Sequence, residues 1–188
     1  MKKGYKLYVA YGSNLNKGQM RFRCPTAKLV GTGVIENYEL QFKGHPHGAF
    51  ATIAPKTGAS VPVAVWEITQ MDEARLDLYE GFPKHYFKEN ISVSLDDKAV
   101  NAMVYIMDLK REFGVPTAHY YATVHEGYMD CGLPVHVLDD AVESSAKRYY
   151  KATLSKNQEY SLFSLCDNEE AEDIEDEESE DEEWTMTL

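Results

Sequence analysis

The chain has 188 residues and a formal net charge of −12, but its acidic side chains are concentrated at the C-terminal end. Residues 167–188 hold thirteen Asp and Glu and no Lys or Arg, which leaves 18 acidic and 19 basic side chains in residues 1–166. A near-neutral body excludes an acidic, disordered chain, and it lacks the basic face that nucleic-acid binding requires. We therefore expect no direct contact with nucleic acid.

Residues 1–166 are long enough for one domain with a buried core, and a hydrophobic content of 44% agrees with this. We predict that residues 167–188 form a separate, disordered acidic tail. The three cysteines lie far apart and lack metal-binding spacing, which is typical of reduced thiols in the cytoplasm. No segment has the length and apolar character of a signal peptide or a membrane span.

The predicted elements are mostly strands in the first two-thirds of the chain and helices in the last third. Strands are predicted over residues 7–11, 28–34, 38–42, 51–54, 61–68, 86–95 and 99–107. Helices are predicted over residues 16–23, 69–79, 117–129 and 134–153. Glu36 and Asn37 form a predicted turn, and residues 96–98 a predicted hairpin. Strands followed by helices indicate an α+β fold, with a curled sheet or a barrel that carries helices.

The segment Tyr11-Gly12-Ser13-Asn14-Leu15 follows the first predicted strand directly. A glycine at this point allows a sharp turn and a close approach of the backbone to a ligand. Successive N–H groups in such a turn can hold a carboxylate or a developing oxyanion. The alternative is an ordinary turn between strand and helix in which Ser13 or Asn14 caps the helix.

Glu80 is the second candidate, because it ends a predicted helix directly before Gly81. A carboxylate there faces the negative end of the helix dipole, which costs roughly 0.3–1 kcal/mol. Neighbouring aromatic residues, Tyr79 and Phe82 among them, would desolvate the carboxylate and raise its pKa towards that of a general base. The alternative is a solvated glutamate beside a glycine C-cap.

Together these two segments resemble the signature of the γ-glutamylcyclotransferase-like family. Further segments follow in that family's order, at residues 25–27, 38–42, 48–53, 61–66, 76–81, 86 and 132–134. The resemblance implies a small mixed β-barrel with surrounding helices, and neither a metal nor an organic cofactor. It implies a small-molecule γ-glutamyl substrate, from which 5-oxoproline and a free amino acid or amine are released by intramolecular aminolysis.

The resemblance also implies roles for particular residues. Glu80 matches the family's catalytic glutamate, and residues Tyr11, Gly12, Ser13, Asn14 and Leu15 match its substrate-holding loop. Tyr86 matches a pocket tyrosine that follows the Glu-Gly pair. Tyr120 lies twelve residues before Gly132, which is the family's spacing for a second pocket tyrosine.

Several alternatives stay open at this point. The fold could serve a binding module whose acidic tail engages a basic or nucleic-acid-binding partner protein, and a homodimer is compatible with the sequence. His45 and His47 could be metal ligands, but a solvated loop is the better explanation of the two residues. The identity of the leaving amine is not determined by any motif.

Overall fold

A closed five-stranded barrel forms the centre of the protein, in the strand order β1-β3-β2-β4-β5. The computed structural model describes residues 4–96 and 98–169, with side chains as far as residue 157. The strands are β1 (Tyr5–Ala10), β2 (Lys28–His45), β3 (Gly48–Thr69), β4 (Tyr86–Leu95) and β5 (Lys98–Met107). Neighbouring strands run antiparallel except β1 and β5, whose parallel pairing at Tyr8–Met103 and Val9–Val104 closes the barrel.

Helices connect and cover the barrel, which confirms the predicted α+β barrel with surrounding helices. They are a short 3-10 turn (Ser13–Leu15), α1 (Lys17–Arg23), α2 (Gln70–Glu80), α3 (Ala118–Cys131) and α4 (Val135–Glu169). The chain divides into two compact units, Met1–Tyr150 and Lys151–Leu188, and the barrel belongs to the first. No helix among the described residues combines the length and apolar character needed to cross a membrane.

The region between residues 28 and 69 differs from the sequence prediction, because two long strands replace four short ones. The predicted turn at Glu36 and Asn37 is a bulge within β2: Asn37 has a φ of 61°, and the register shifts between Glu36 and Tyr38. The Asn37 side chain accepts a hydrogen bond from Gly58 N at 3.0 Å on the neighbouring strand. The bulge bends the strand without ending it, and the chain reverses only after His45.

The apolar run in the middle of β3 forms a continuous part of the core. Val61, Val63, Ala64 and Val65 are all fully buried, so both faces of this strand are covered. Such a strand has a continuous apolar sequence instead of an alternating one, as the sequence shows here. The rigid strand supports the loops and helix ends that carry the site.

Helix α3 packs closely against the segment that follows β1. A Cβ atom at Gly127 would lie 2.6 Å from both Leu15 Cβ and Asn16 N, so only glycine allows this approach. Asn16 Nδ2 donates to Glu126 Oε2 at 2.8 Å, and the Cys131 thiol donates to Leu15 O at 3.4 Å. These contacts position the residues between β1 and α1.

The predicted acidic tail falls mostly outside the described residues, which end at 169. The boundary at residue 166, the disorder of the tail and its basic or nucleic-acid-binding protein partner therefore stay predictions. The homodimer and the cytoplasmic location stay predictions as well.

Candidate active site

A cavity of about 300 Å³, including open solvent, opens beside the end of β1. Five tyrosines, three consecutive loop residues, one alanine and one carboxylate line it: Tyr8, Tyr11, Tyr86, Tyr105, Tyr120, Gly12, Ser13, Asn14, Ala51 and Glu80. We call this space the inner cavity. The lining residues come from four strands, two helices and the loop after β1, so the closed barrel is what brings them together.

The loop after β1 owes its shape to one glycine and one cap. A Cβ atom at Gly12 would lie 3.2 Å from both Ala51 Cβ and the Tyr120 hydroxyl, so glycine provides space here. A 3-10 turn follows, closed by a hydrogen bond of 2.9 Å from Leu15 N to Gly12 O. Helix α1 is capped by Asn16, whose side chain accepts from Gln19 N at 2.9 Å. Ser13 and Asn14 do not cap the helix, and both residues line the cavity.

Glu80 is the last residue of α2, and the helix ends determine its position. Thr69 and Asp72 form a capping box at the start of the helix, and Gly81 ends it with a φ of 64° in the left-handed region. Glu80 Oε1 accepts a hydrogen bond of 2.9 Å from Asn14 Nδ2. Burial raises the pKa of the Glu80 carboxyl to about 7, against the lowering effects of the Arg23 charge and the Asn14 hydrogen bond. This carboxyl can therefore both accept and return a proton near neutral pH.

Arg23, at the end of α1, orients the residues around Glu80. Its Nη1 donates to Ser13 Oγ at 3.0 Å and to Asn14 Oδ1 at 2.6 Å, and its guanidinium lies 3.6 Å from the ring centroid of Tyr79. Because Asn14 Oδ1 is engaged in this way, its Nδ2 points towards Glu80. Sequence analysis missed Arg23, since a basic residue in the last turn of a helix is ordinary by itself.

The cavity tyrosines carry their protons. Burial, with the nearby charge of Glu80 as a smaller cause, raises the pKa of Tyr8 and Tyr11 well above the usual range. Burial likewise raises the pKa of Tyr86 and of Tyr120. The Tyr86 hydroxyl donates to Ala51 O at 2.9 Å, and the Tyr120 hydroxyl accepts from Ala51 N at 3.2 Å. Both rings are thereby fixed against β3.

Most residues predicted for the site from sequence meet at the inner cavity. The predicted residues that line this cavity are Tyr11, Gly12, Ser13, Asn14, Glu80, Tyr86 and Tyr120. Leu15 differs from the prediction, because its side chain is fully buried in the core beneath α3 and is not among the residues that line the cavity. Tyr8, Ala51 and Tyr105 line the cavity without having been predicted from the sequence.

A second, wider space of about 1000 Å³, including open solvent, adjoins the inner cavity. We call it the outer chamber. Ser13, Glu80, Tyr86 and Tyr120 line both spaces, so that Glu80 stands at their junction. The other residues that line the outer chamber are Gly44, His45, Phe50, Tyr79, His85, Met107 and Arg111.

The two histidines considered as metal ligands contact each other and an aromatic ring. His45 Nδ1 accepts from His47 N at 3.4 Å, and the His47 ring meets the Tyr149 ring edge-on with centroids 6.0 Å apart. Among residues 4–96 and 98–169, no three His, Cys, Asp or Glu side chains form a cluster that could hold a metal ion.

Comparison with known proteins gives a consistent set of relatives. The family model described as "Gamma-glutamyl cyclotransferase, AIG2-like" matches residues 8–123. The γ-glutamylcyclotransferase of Bos taurus is 30% identical over 139 residues, which cover 69% of this chain and 73% of the bovine chain. That of Mus musculus is 27% identical over 162 residues, which cover 81% and 85% of the two chains. The solved structure of a γ-glutamyl cyclotransferase matches with a TM-score of 0.67 and 26% identity, over 73% of this chain and 86% of the other.

The barrel, the inner cavity and these relatives define an enzyme of the γ-glutamylcyclotransferase type. The family match spans more than half of the chain, including the loop after β1, Glu80 and Tyr120. The chain belongs to the γ-glutamyl cyclotransferase, AIG2-like family. The family resemblance predicted from the sequence is thereby confirmed.

Proposed function

We propose that the protein cyclises the γ-glutamyl group of a small-molecule substrate, with Glu80 as general acid and base, and releases 5-oxoproline with a free amino acid or amine. One observation carries the proposal: a carboxyl whose burial raises its pKa to about 7 shares a cavity with Gly12, Ser13 and Asn14. The carboxylate supplies a base, and the loop supplies polar groups for the anionic parts of the substrate.

The reaction begins when Glu80 takes a proton from the α-ammonium group of the γ-glutamyl moiety. The freed amine attacks the γ-carbonyl carbon of the same moiety, forming a C–N bond, a five-membered ring and a tetrahedral oxyanion. The oxyanion then collapses, the bond to the departing nitrogen breaks, and Glu80 returns its proton to that nitrogen. The attack leaves the ring nitrogen with two protons, so Glu80 next takes one of them and passes it to the released amine, which departs as its ammonium form and leaves Glu80 as a carboxylate. Atoms and charges balance without water, and general acid–base assistance of this kind contributes about 10²–10⁴-fold.

The cavity wall suits this chemistry because its hydroxyl groups are neutral. Tyr8, Tyr11, Tyr86 and Tyr120 have pKa values raised by burial, so they add no negative charge. The Tyr11 and Tyr86 hydroxyls already donate to backbone carbonyl oxygens, whereas those of Tyr8 and Tyr120 accept hydrogen bonds and can donate their protons to an anion. The amine and the carbonyl belong to one molecule, so the protein needs only to hold the substrate in the ring-forming conformation.

The test is a panel of γ-glutamyl amino acids and γ-glutamylamines, with 5-oxoproline measured as the product. The wild-type protein should release it from at least one substrate, and Glu80→Gln should lose at least about 100-fold in kcat, because the amide cannot accept the proton. The control is Glu36→Gln, which removes an exposed carboxylate from the same barrel and should not change the rate. An inert wild-type protein, or a fully active Glu80→Gln variant that keeps its fold, would contradict the proposal.

A further inference from the structure

The position of Glu80 divides the substrate between two spaces. If the γ-glutamyl group occupies the inner cavity, the bond that breaks lies near Glu80, at the junction with the outer chamber. The departing part of the substrate then extends into the outer chamber. The side chains of that chamber therefore decide which leaving groups bind well.

Part of the lining of the outer chamber is apolar. Phe50 and Tyr79 are each 49% exposed, and both line the chamber together with Met107. The Phe50 ring is held by an edge-on contact with the Tyr120 ring, with centroids 4.9 Å apart. These side chains offer an apolar, partly fixed surface to a hydrophobic group of the ligand.

Another part of the lining carries a cation. Arg111 Nη2 lies 3.2 Å from His85 Nδ1, and among the described residues no carboxylate forms an ion pair with Arg111. The backbone of this loop is held in place, because Lys43 Nζ donates to Arg111 O at 2.9 Å and Gly44 N donates to Glu112 O at 2.9 Å. The guanidinium is thus presented to the chamber from a supported loop.

We propose that the outer chamber is the leaving-group subsite, and that it selects an α-amino acid with an apolar side chain whose carboxylate binds Arg111 and His85. This inference rests on the proposed function. An amino acid leaving group can carry both an apolar side chain and a carboxylate on one carbon, which matches the apolar and the cationic residues that line the chamber. A simple amine would satisfy only the apolar side, and a leaving group with a second cationic amine would meet Arg111 unfavourably.

The decisive experiment compares two substrates that differ only in the carboxylate, γ-glutamyl-phenylalanine and γ-glutamyl-phenethylamine. For the wild-type protein we expect kcat/KM to be about 5- to 10-fold higher for the first, the range of a charge-assisted contact at an exposed arginine. Arg111→Gln should remove this preference by lowering kcat/KM for γ-glutamyl-phenylalanine alone. Lys110→Gln, which neutralises the neighbouring exposed cation, should leave both substrates unchanged.

A further variant tests the apolar side by itself. Phe50→Ser should lower kcat/KM for both substrates by a similar factor, because both carry the same ring. Equal wild-type rates for the two substrates, or equal losses for both in Arg111→Gln, would overturn the inference while leaving the proposed function intact. A wild-type protein inert towards every γ-glutamyl substrate would overturn both.

Discussion

Replacing Arg23 by Met should raise the pKa of Glu80 and so shift the pH dependence of the reaction. Arg23 Nη1 donates to Asn14 Oδ1 at 2.6 Å, which turns Asn14 Nδ2 towards Glu80 Oε1 at 2.9 Å and towards the Tyr8 hydroxyl at 2.7 Å. The substitution removes a positive charge that lowers the pKa of Glu80, and it frees the Asn14 amide to rotate. Both changes favour the protonated carboxyl.

The size of the expected change in the pKa of Glu80 follows from the distance between Arg23 and Glu80. The two hydrogen bonds, with the Asn14 amide between them, place the guanidinium and the carboxylate within about 8 Å of each other. At an effective dielectric constant of about 20, two unit charges at that distance attract by about 2 kcal/mol. Solvent at the half-buried Arg23 weakens the attraction, so we expect the pKa of Glu80 to rise by about one unit, equivalent to ~1.4 kcal/mol.

The assay is the pH profile of kcat/KM for 5-oxoproline release. A general base works in its deprotonated form, so the wild-type rate should fall as the pH drops through about 7, the pKa to which burial raises Glu80. In Arg23→Met this acidic limb should move to about pH 8, and Arg23→Lys should lie between the two. Arg21→Met, an exposed arginine in the same helix turn, is the matched control and should not shift the profile. If the acidic limb of the Arg23→Met pH profile stays at the wild-type position, even with a lower rate, the reasoning is refuted.

Three further predictions concern stability and the position of the loop after β1. Because burial raises the pKa of Glu80 to about 7 from an ordinary 4.5, the wild-type protein loses stability as the pH rises through this window. Urea denaturation should therefore find Glu80→Gln more stable by up to about 3 kcal/mol at pH 8 and equal at pH 4; the same difference at both pH values would contradict this. The hydrogen bonds from Arg148 hold the pKa of Glu39 at about 2, so their stabilisation is present above pH 4.5 and is lost as the pH falls towards 2. Arg148→Met should cost about 1–2 kcal/mol at pH 7, allowing for solvent screening, and less as the pH falls below 4; a loss independent of pH would assign the effect to packing. Gly127→Ala should lower both stability and kcat/KM, because the added Cβ meets Leu15 Cβ and Asn16 N at 2.6 Å and must displace the loop. Unchanged turnover in a less stable Gly127→Ala variant would show that the loop tolerates this shift.

Local chemistry made part of the site predictable from the sequence. A run of strand-forming residues that ends at Gly12 predicts a turn there. A glutamate at the C-terminal end of a helix, directly before a glycine, is unfavourable for the helix dipole and therefore indicates a possible functional residue. Both are short-range signals that do not depend on the rest of the chain. The family resemblance then connected the two segments, which are separated by 66 residues at the Asn14–Glu80 hydrogen bond.

Other features depend on strand register and could not be predicted in this way. Tyr8 and Tyr105 meet at the cavity because the parallel pairing of β1 and β5 closes the barrel, with their rings 5.9 Å apart. Asn37 is a turn-forming residue that suits a hairpin turn and a β-bulge equally, so its sequence alone does not distinguish them. The pairing with the neighbouring strand β3 decides that it is a bulge. Leu15 belongs to the motif, but the close approach of α3 at Gly127 places its side chain in the core.

The sequence by itself therefore determined the helices, the strands outside residues 28–69, the family and the identity of the candidate base, because these follow from propensity, helix-end chemistry and short motifs. The tertiary structure decided the environment of that base: the burial that raises the pKa of Glu80, the cation that opposes it, and the outer chamber beside it. These properties arise from groups that are distant along the chain, and only the closed barrel brings them within hydrogen-bonding distance.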